Sequence, residues 1–419
     1  MLLSGLDSDL VSLESAAGRL RSQLEAESCG RRFYGARGPA GFEMLGAGSS
    51  DWNVFPTGGR YAEGTALFLK SLLGVIVAEG LGRRRRGPPC AMLAGTDTSM
   101  DAIVGRLLGS AEASVRWKAR RSLLGESPDS RSMRSLAREV HDSPLARRLL
   151  TVPSSRPHPY QKWQGPHFTL ICLAEIGYPP GDTSLMPLRD RFYDWLFAEH
   201  HFRPPHTLVL PGQEDRVRRC AGQEGYAVWY SLALGLADAR TEALVERLLE
   251  WQWPDGGWNC DKRPQARASS FHESLIPLRA LSLHGLLRKD PRSLAAAARA
   301  AEIFLERGLF RARRTGEIIH PDFVRLQYPN FYPYNILFGL KVMAEAGFIR
   351  DPRCREALDL LESKRLPDGG FPLEKKNWTF SDTVVTRGTF ADWGPSGKQR
   401  MNEFVTVDAL SILRAAGRI

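Results

Sequence analysis

The chain has 419 residues, of which 43% are hydrophobic and 25% charged. These proportions are ordinary for a globular protein, and the length allows one large domain or two smaller ones. Lysine and arginine number 57 against 47 aspartates and glutamates, and the resulting net charge of +10 is mild for this length. Charge alone therefore does not indicate a nucleic-acid partner, and none is expected.

The N-terminal region, residues 1–94, has a poorly defined pattern and is predicted to be partly helical. A heptad-like series of leucines precedes a glycine-rich run over residues 30–59. The apolar stretch 66–82 is interrupted by Lys70 and is shorter than the roughly 20 residues of a spanning helix, which favours a buried helix. An interfacial helix with peripheral membrane contact is the less favoured alternative. The basic run 83–89 is predicted to be a solvated linker.

The cysteines are widely scattered, without a Cys-x-x-Cys pair or the dense framework of a small secreted domain. The first twenty residues carry Asp7, Asp9 and Glu14 where a signal peptide would be apolar. We therefore expect a reduced, cytoplasmic protein. The six cysteines are Cys29, Cys90, Cys172, Cys220, Cys260 and Cys354.

From about residue 95 to the end, apolar helices alternate with amphipathic ones, with glycine or proline at the breaks. Alternating β-branched runs are nearly absent, so the pattern predicts an all-α repeat of helical hairpins. The predicted apolar helices cover 166–177, 221–236, 271–285, 332–347 and 402–417, and the amphipathic ones 186–200, 241–252, 293–306 and 352–364.

Two turns between these hairpins are near copies of each other. They read LLEWQWPDGGWNCD at 248–261 and LLESKRLPDGGFPLE at 360–374, with a shared Pro-Asp-Gly-Gly-aromatic core. The proline ends the preceding helix, and the glycines permit positive φ. The aromatic residue, Trp258 or Phe371, is expected to pack between neighbouring hairpins.

The first turn, written Gln252-x-x-x-Gly256-x-Trp258, resembles the QW repeat of terpene cyclases and their prenyltransferase relatives. The second departs from it, with Arg365 or Lys364 in place of glutamine. Over residues 95–419 the chain resembles the α/α toroid proteins, which include squalene cyclases and protein prenyltransferase β-subunits. The resemblance implies an inner ring of helices around a central cavity, an outer ring that encloses it, and an apolar or isoprenoid substrate.

The resemblance does not extend to every functional motif of those enzymes. The chain contains no Asp-x-Asp-Asp motif and no Asp-Asp pair, so the acid of squalene-type cyclases and the aspartate-rich magnesium motif have no counterpart. Two hypotheses follow. The chain is either a terpene cyclase- or prenyltransferase-like enzyme, using an acid or zinc, or a non-catalytic toroid that binds a ligand or a protein.

Polar residues at the starts of the predicted apolar helices are the candidates for chemistry, because such positions lie at the mouth of a toroid. Glu224, Asp261, His272 and Glu273 are the candidate acid–base groups. Asp261 is also a plausible turn residue, and Glu273 a first-turn carboxylate favoured by the helix dipole.

Cys220, Cys260 and His272 have the ligand types of a zinc site with an open fourth position. The resemblance implies such a site, because protein prenyltransferase β-subunits place an Asp, a Cys and a His at a cavity mouth. Lanthionine cyclases use two Cys and one His on a similar toroid. The competing interpretation is two buried thiols and a structural histidine. Zinc is therefore the one cofactor hypothesis that the sequence offers.

Aromatic and basic residues elsewhere are the candidates for substrate binding. Trp163 and His167 precede or begin the helix predicted at 166–177, and Tyr328 and Tyr334 surround Arg325 in HPDFVRLQYPNFYPYN. Such residues are expected to line a pocket for an apolar chain, with Arg325 taking an anionic head. The alternative is aromatic packing of an extended connection.

Overall fold

The computed structural model describes residues 98–151, 158–199, 201 and 205–419. All of these residues belong to a single compact unit of the chain. The predictions for residues 1–94 lie outside the described residues. They include the apolar stretch 66–82, the basic linker, Cys29 and Cys90.

The described residues contain thirteen α-helices and almost no strand, which confirms the all-α prediction. The strands β1 (Thr379–Phe380) and β2 (Gly388–Thr389) form one two-residue parallel pair. Short 3₁₀ turns cover Thr183–Leu185, Pro205–Leu208, Pro321–Val324 and Pro352–Cys354. The helices are α1 Thr98–Leu108, α2 Ala113–Ser122, α3 Arg131–His141, α4 Pro144–Leu150, α5 Pro166–Glu175, α6 Met186–Phe197, α7 Ala221–Ala233, α8 Ala239–Glu250, α9 Phe271–Arg288, α10 Pro291–Leu305, α11 Ile336–Glu345, α12 Arg355–Glu362 and α13 Glu403–Ala415.

All nine helices that the alternating pattern predicted after residue 160 are present. The apolar ones are α5, α7, α9, α11 and α13, and the amphipathic ones are α6, α8, α10 and α12. Helix α11 begins at Ile336 rather than at 332, because the Asn335 side chain caps it by accepting the Phe338 N–H. None of the described helices combines the length and apolar character that a membrane crossing requires.

The apolar helices pack on one another in a regular order. Helix α5 contacts α7, α7 contacts α9, α9 contacts α11, α11 contacts α13, and α13 contacts α2. Each amphipathic helix packs on the apolar helix before it. Gly177, just after α5, lies so close to Trp117 of α2 that a Cβ there would be 2.5 Å from the indole ring.

Charged side chains from five of these helices form a buried network. Lys341 pairs with Glu175 at 2.5 Å and with Asp408 at 3.0 Å. Asp408 also pairs with Lys118, and Glu175 with Arg279. Because each buried charge has a partner of opposite sign, the cost of burying it is offset, and the network links α2, α5, α9, α11 and α13.

The two Pro-Asp-Gly-Gly turns have the same backbone hydrogen bonds. The Trp253 N–H donates to the Gly257 carbonyl, and the Leu366 N–H to the Gly370 carbonyl, each at 2.8 Å. In the first turn, the Gln252 amide donates to the carbonyls of Gly256 (2.7 Å) and Ala296 (2.8 Å), and so ties the turn to α10. Trp258 and Phe371 are both buried, as expected.

Candidate metal centre

The N-terminal ends of α7 and α9 lie side by side, and the strongest candidate site lies at these two helix ends. Cys220 is the N-cap residue of α7, and Glu273 is in the first turn of α9. The helices approach closely at Gly225, where a Cβ would lie 2.9 Å from the Pro277 nitrogen. Cys260 belongs to the segment that leads from the first Pro-Asp-Gly-Gly turn into α9.

Three ligand atoms converge at this point. The sulfur atoms of Cys220 and Cys260 and a carboxylate oxygen of Glu273 all lie within 4.8 Å of one another. Cys260 Sγ donates to Glu273 Oε1 at 3.3 Å, and the Gly222 N–H donates to Oε2 at 2.8 Å. The Tyr332 hydroxyl donates to Oε1 at 3.0 Å. Glu273 is therefore fixed by a helix N-terminus and by a residue 59 positions further along the chain.

The electrostatics of this cluster favour a bound cation. The adjacent Cys220 sulfur, burial and the Glu273 carboxylate together raise the pKa of the Cys260 thiol. Burial raises the pKa of Glu273, partly offset by the hydrogen bonds from Gly222, Cys260 and Tyr332. Acidic groups brought together in this way resist ionisation unless a positive charge lies between them.

The donors and their spacing fit zinc. Tetrahedral bonds of about 2.3 Å put two zinc-bound sulfurs about 3.8 Å apart, a separation within the spacing of this cluster. Two thiolates and one carboxylate leave a fourth position open. Gly222 and Tyr332 would supply the outer hydrogen bonds that orient a ligating carboxylate.

His272 belonged to the ligand set predicted from the sequence, but the structure brings Glu273 to the two sulfurs instead. The His272 ring packs against Phe323 (5.6 Å) and Tyr332 (5.5 Å), measured between ring centroids. Consecutive helical residues point about 100° apart, so only one of the two can face the cysteine pair. Burial, and to a lesser degree His320, lower the pKa of His272.

The other two acid–base candidates have different surroundings. Glu224 is fully buried and accepts hydrogen bonds from Arg247 of α8 (2.6 Å) and Arg219 (3.4 Å). Burial raises its pKa to about 6, although both arginines lower it. Asp261 forms a side-chain ion pair with Arg263, and its hydrogen bonds from that residue lower its pKa to about 2. Asp261 is thus ionised at neutral pH.

The segment 326–335 enters the space between the apolar helices. Phe331 packs against Phe168 of α5 (3.9 Å) and stacks on Tyr226 of α7 (6.0 Å). Tyr328 stacks on Phe404 of α13 at 5.0 Å. The chain's own aromatic side chains therefore occupy the region where the sequence predicted a substrate cavity.

The remaining aromatic candidates are packed as well. Trp163 lies against Phe331 at 4.9 Å, and Tyr334 donates its hydroxyl proton to the Leu309 carbonyl at 2.5 Å. His167 stacks on Phe192 at 4.0 Å, and burial lowers its pKa to about 3. His167 is therefore neutral at physiological pH.

Arg325 lies apart from these residues, at the surface. It is exposed and forms an ion pair with Asp322 at 3.5 Å. A cavity of about 500 Å³ beside it is also lined by Lys364, Glu374 and Lys398. Arg325 thus borders a charged surface cavity, while Tyr328 and Tyr334 are buried inside the protein.

The sequence did not predict which residues lie around the metal ligands. Tyr332 contacts Glu273, and the Lys162 ammonium lies 5.7 Å from the centre of the Tyr332 ring. Burial raises the pKa of Tyr160, and the nearby Cys220 and Glu273 raise it further. Tyr160 and Lys162 are far along the chain from Tyr332, and no local spacing signals their proximity.

No family model, curated protein or solved structure matches this chain.

Proposed function

We propose that this chain is a zinc-dependent enzyme of the prenyltransferase or terpene cyclase type, built on an α/α toroid. Its proposed substrate is an apolar or isoprenoid molecule that binds at the rim of the inner helices. The observation that carries the proposal is the convergence of Cys220, Cys260 and Glu273 within 4.8 Å at the start of two adjacent helices.

The order of helix contacts supports a closed ring rather than an open solenoid. Helices α5, α7, α9, α11, α13 and α2 contact one another in that order, and Gly177 brings the end of α5 onto Trp117 of α2. The buried ion pairs of Lys341 with Glu175 and with Asp408 connect α11 to α5 and to α13 within the same group of helices. Helices α6, α8, α10 and α12 then supply an outer layer.

The cluster has the composition of a catalytic site rather than a closed structural one, because three protein ligands leave one position for a substrate atom. Zinc bound there would act as a Lewis acid toward that atom or lower the pKa of a bound nucleophile. Glu273 remains aimed at the cysteine sulfurs because Gly222 and Tyr332 hold its two oxygens.

The partly exposed side chains around the cluster suit an apolar substrate with one anionic group. Tyr160 and Tyr332 offer aromatic surface, and Lys162 is an exposed cation beside the Tyr332 ring. His272, whose pKa is lowered, is neutral at pH 7 and can accept a proton from a nucleophile. We place the substrate at this rim because Phe331 occupies the interior.

Turnover by the full chain tests this proposal. Zinc-loaded and chelator-stripped protein would be incubated with isoprenoid diphosphates of several chain lengths and with squalene. We expect product only with zinc, and none from a Cys260→Ser variant, whereas a Cys354→Ser control keeps its activity. Equal turnover without metal, or no turnover of any of these substrates, would overturn the proposal.

A non-catalytic toroid is the second candidate, and the packing of segment 326–335 favours it. Phe331 and Tyr328 fill the space in which related toroids are expected to hold a substrate. In that case zinc would be structural, and its removal would lower the thermal unfolding temperature while no substrate is turned over. The same zinc-loaded and stripped samples therefore distinguish the two functions.

A further inference from the structure

We propose that Cys220 and Cys260 form a reversible disulfide when a peroxide reaches the metal-free cluster, so that the site is sensitive to oxidation. The two sulfur atoms lie within 4.8 Å of each other, and both residues are partly exposed. Cys172 and Cys354, the other cysteines of the described residues, are buried.

The arrangement supplies the groups that thiol oxidation requires. Cys260 Sγ donates a hydrogen bond to the Glu273 carboxylate at 3.3 Å, so a proton acceptor already lies beside this thiol. The Cys220 sulfur lies beside the same pair, within 4.8 Å of both partners. Because Glu273 can take the proton of Cys260, we write Cys260 as the resolving thiol and Cys220 as the one that meets the peroxide.

The proposed chemistry balances in two steps. The Cys220 sulfur loses its proton and attacks one peroxide oxygen, the O–O bond breaks, and the proton passes to the leaving hydroxide, so that a sulfenic acid and one water form. The Cys260 sulfur then attacks the sulfenic sulfur as Glu273 accepts the thiol proton and passes it to the leaving hydroxyl, which departs as a second water. Two thiols are oxidised and one peroxide is reduced.

Zinc competes with this reaction, because it would bind both sulfurs and Glu273. Bound zinc is expected to slow disulfide formation, and the oxidised site is expected to lose the metal, since a disulfide no longer offers thiolates. This competition rests on the proposed function, whereas disulfide formation in metal-free protein does not.

Peptide mapping of the intact chain tests the inference. Metal-free protein would be treated with hydrogen peroxide, alkylated and digested with trypsin, which places Cys220 in peptide 220–240 and Cys260 in peptide 248–262. We expect these peptides to be linked, to separate on treatment with dithiothreitol, and to link more slowly when zinc is added first. Cys354→Ser should leave the link intact, and Cys220→Ser should abolish it.

Each remaining outcome has a definite meaning. Two unlinked peptides, or Cys220 linked to any other cysteine, would overturn the inference. A link that forms equally fast with and without zinc, in protein that binds no zinc, would support the disulfide and contradict the proposed function. Zinc binding by protein in which no link forms would contradict the disulfide and leave the proposed function standing.

Discussion

Cys260 Sγ donates a hydrogen bond to Glu273 Oε1 at 3.3 Å, and the Gly222 N–H holds the other oxygen of the same carboxylate at 2.8 Å. This contact joins the segment that follows the first Pro-Asp-Gly-Gly turn to the start of α9. It also places Glu273, and not His272, beside the two sulfurs. The proposed zinc chemistry depends on Glu273 as the third ligand.

Zinc affinity should depend on Glu273 and not on His272. We expect Glu273→Gln to reduce zinc affinity strongly, because a neutral amide replaces a charged ligand, and His272→Asn to leave affinity unchanged within error. Competition with a chromogenic chelator measures both. Loss of zinc from the His272→Asn variant alone would restore the ligand set predicted from the sequence.

Tyr332 should act as a positioning residue for the same carboxylate. Tyr332→Phe keeps the ring but removes the hydrogen bond at 3.0 Å to Glu273. Loss of such outer partners typically costs about 10–100-fold in metal affinity, and we expect that reduction here. The matched control is Tyr178→Phe, whose hydroxyl donates to Asp182 instead. Equal affinities for the two variants would contradict a role for Tyr332.

The buried charge network should contribute strongly to stability. Asp408→Asn removes the carboxylate that pairs with Lys118 and one of the two that pair with Lys341, and breaking a buried pair typically costs about 3–5 kcal/mol. Glu356→Gln, which removes the exposed pair with Arg311, should cost about 1 kcal/mol or less. Urea unfolding measures both, and similar losses for the two variants would contradict the account.

The close packing of the first Pro-Asp-Gly-Gly turn should make Gly256 intolerant of a side chain. Gly256 has φ of 96°, and a Cβ there would lie 2.5 Å from the Arg299 carbonyl oxygen. Gly212 has φ of 73° with open space around it, so Gly212→Ala carries only the backbone cost. Gly256→Ala should therefore lower the unfolding temperature clearly more than Gly212→Ala.

Glu224 should make stability fall with rising pH. Burial raises its folded pKa to about 6 from the ordinary glutamate value of 4.5, so the folded state binds the proton more tightly than the unfolded state. The resulting stabilisation, about 2 kcal/mol, is full below pH 4.5 and is lost as the pH rises through 6. Unfolding of Glu224→Gln, followed from pH 4 to 7, should lack this component. If the difference in unfolding free energy between the unmutated protein and Glu224→Gln stayed constant from pH 4 to 7, the raised pKa of Glu224 would be contradicted.

The helices could be predicted from the sequence, whereas the exact ligand set could not. Apolar periodicity and the Gly and Pro breaks are local signals, and α5 to α13 follow them closely. The pairing of Glu273 with Tyr332 and the buried position of Phe331 depend on contacts between distant segments. These contacts form only when the helices pack together, and the local sequence pattern does not encode that packing.

X-ray absorption spectroscopy at the zinc edge tests the central claim most directly. For the full chain loaded with one equivalent of zinc, we expect two sulfur neighbours at about 2.3 Å and two lighter neighbours at about 2.0–2.2 Å. One sulfur neighbour should disappear in Cys220→Ser. A spectrum with no sulfur neighbours, or with the imidazole signature of a histidine ligand, would contradict a site formed by Cys220, Cys260 and Glu273.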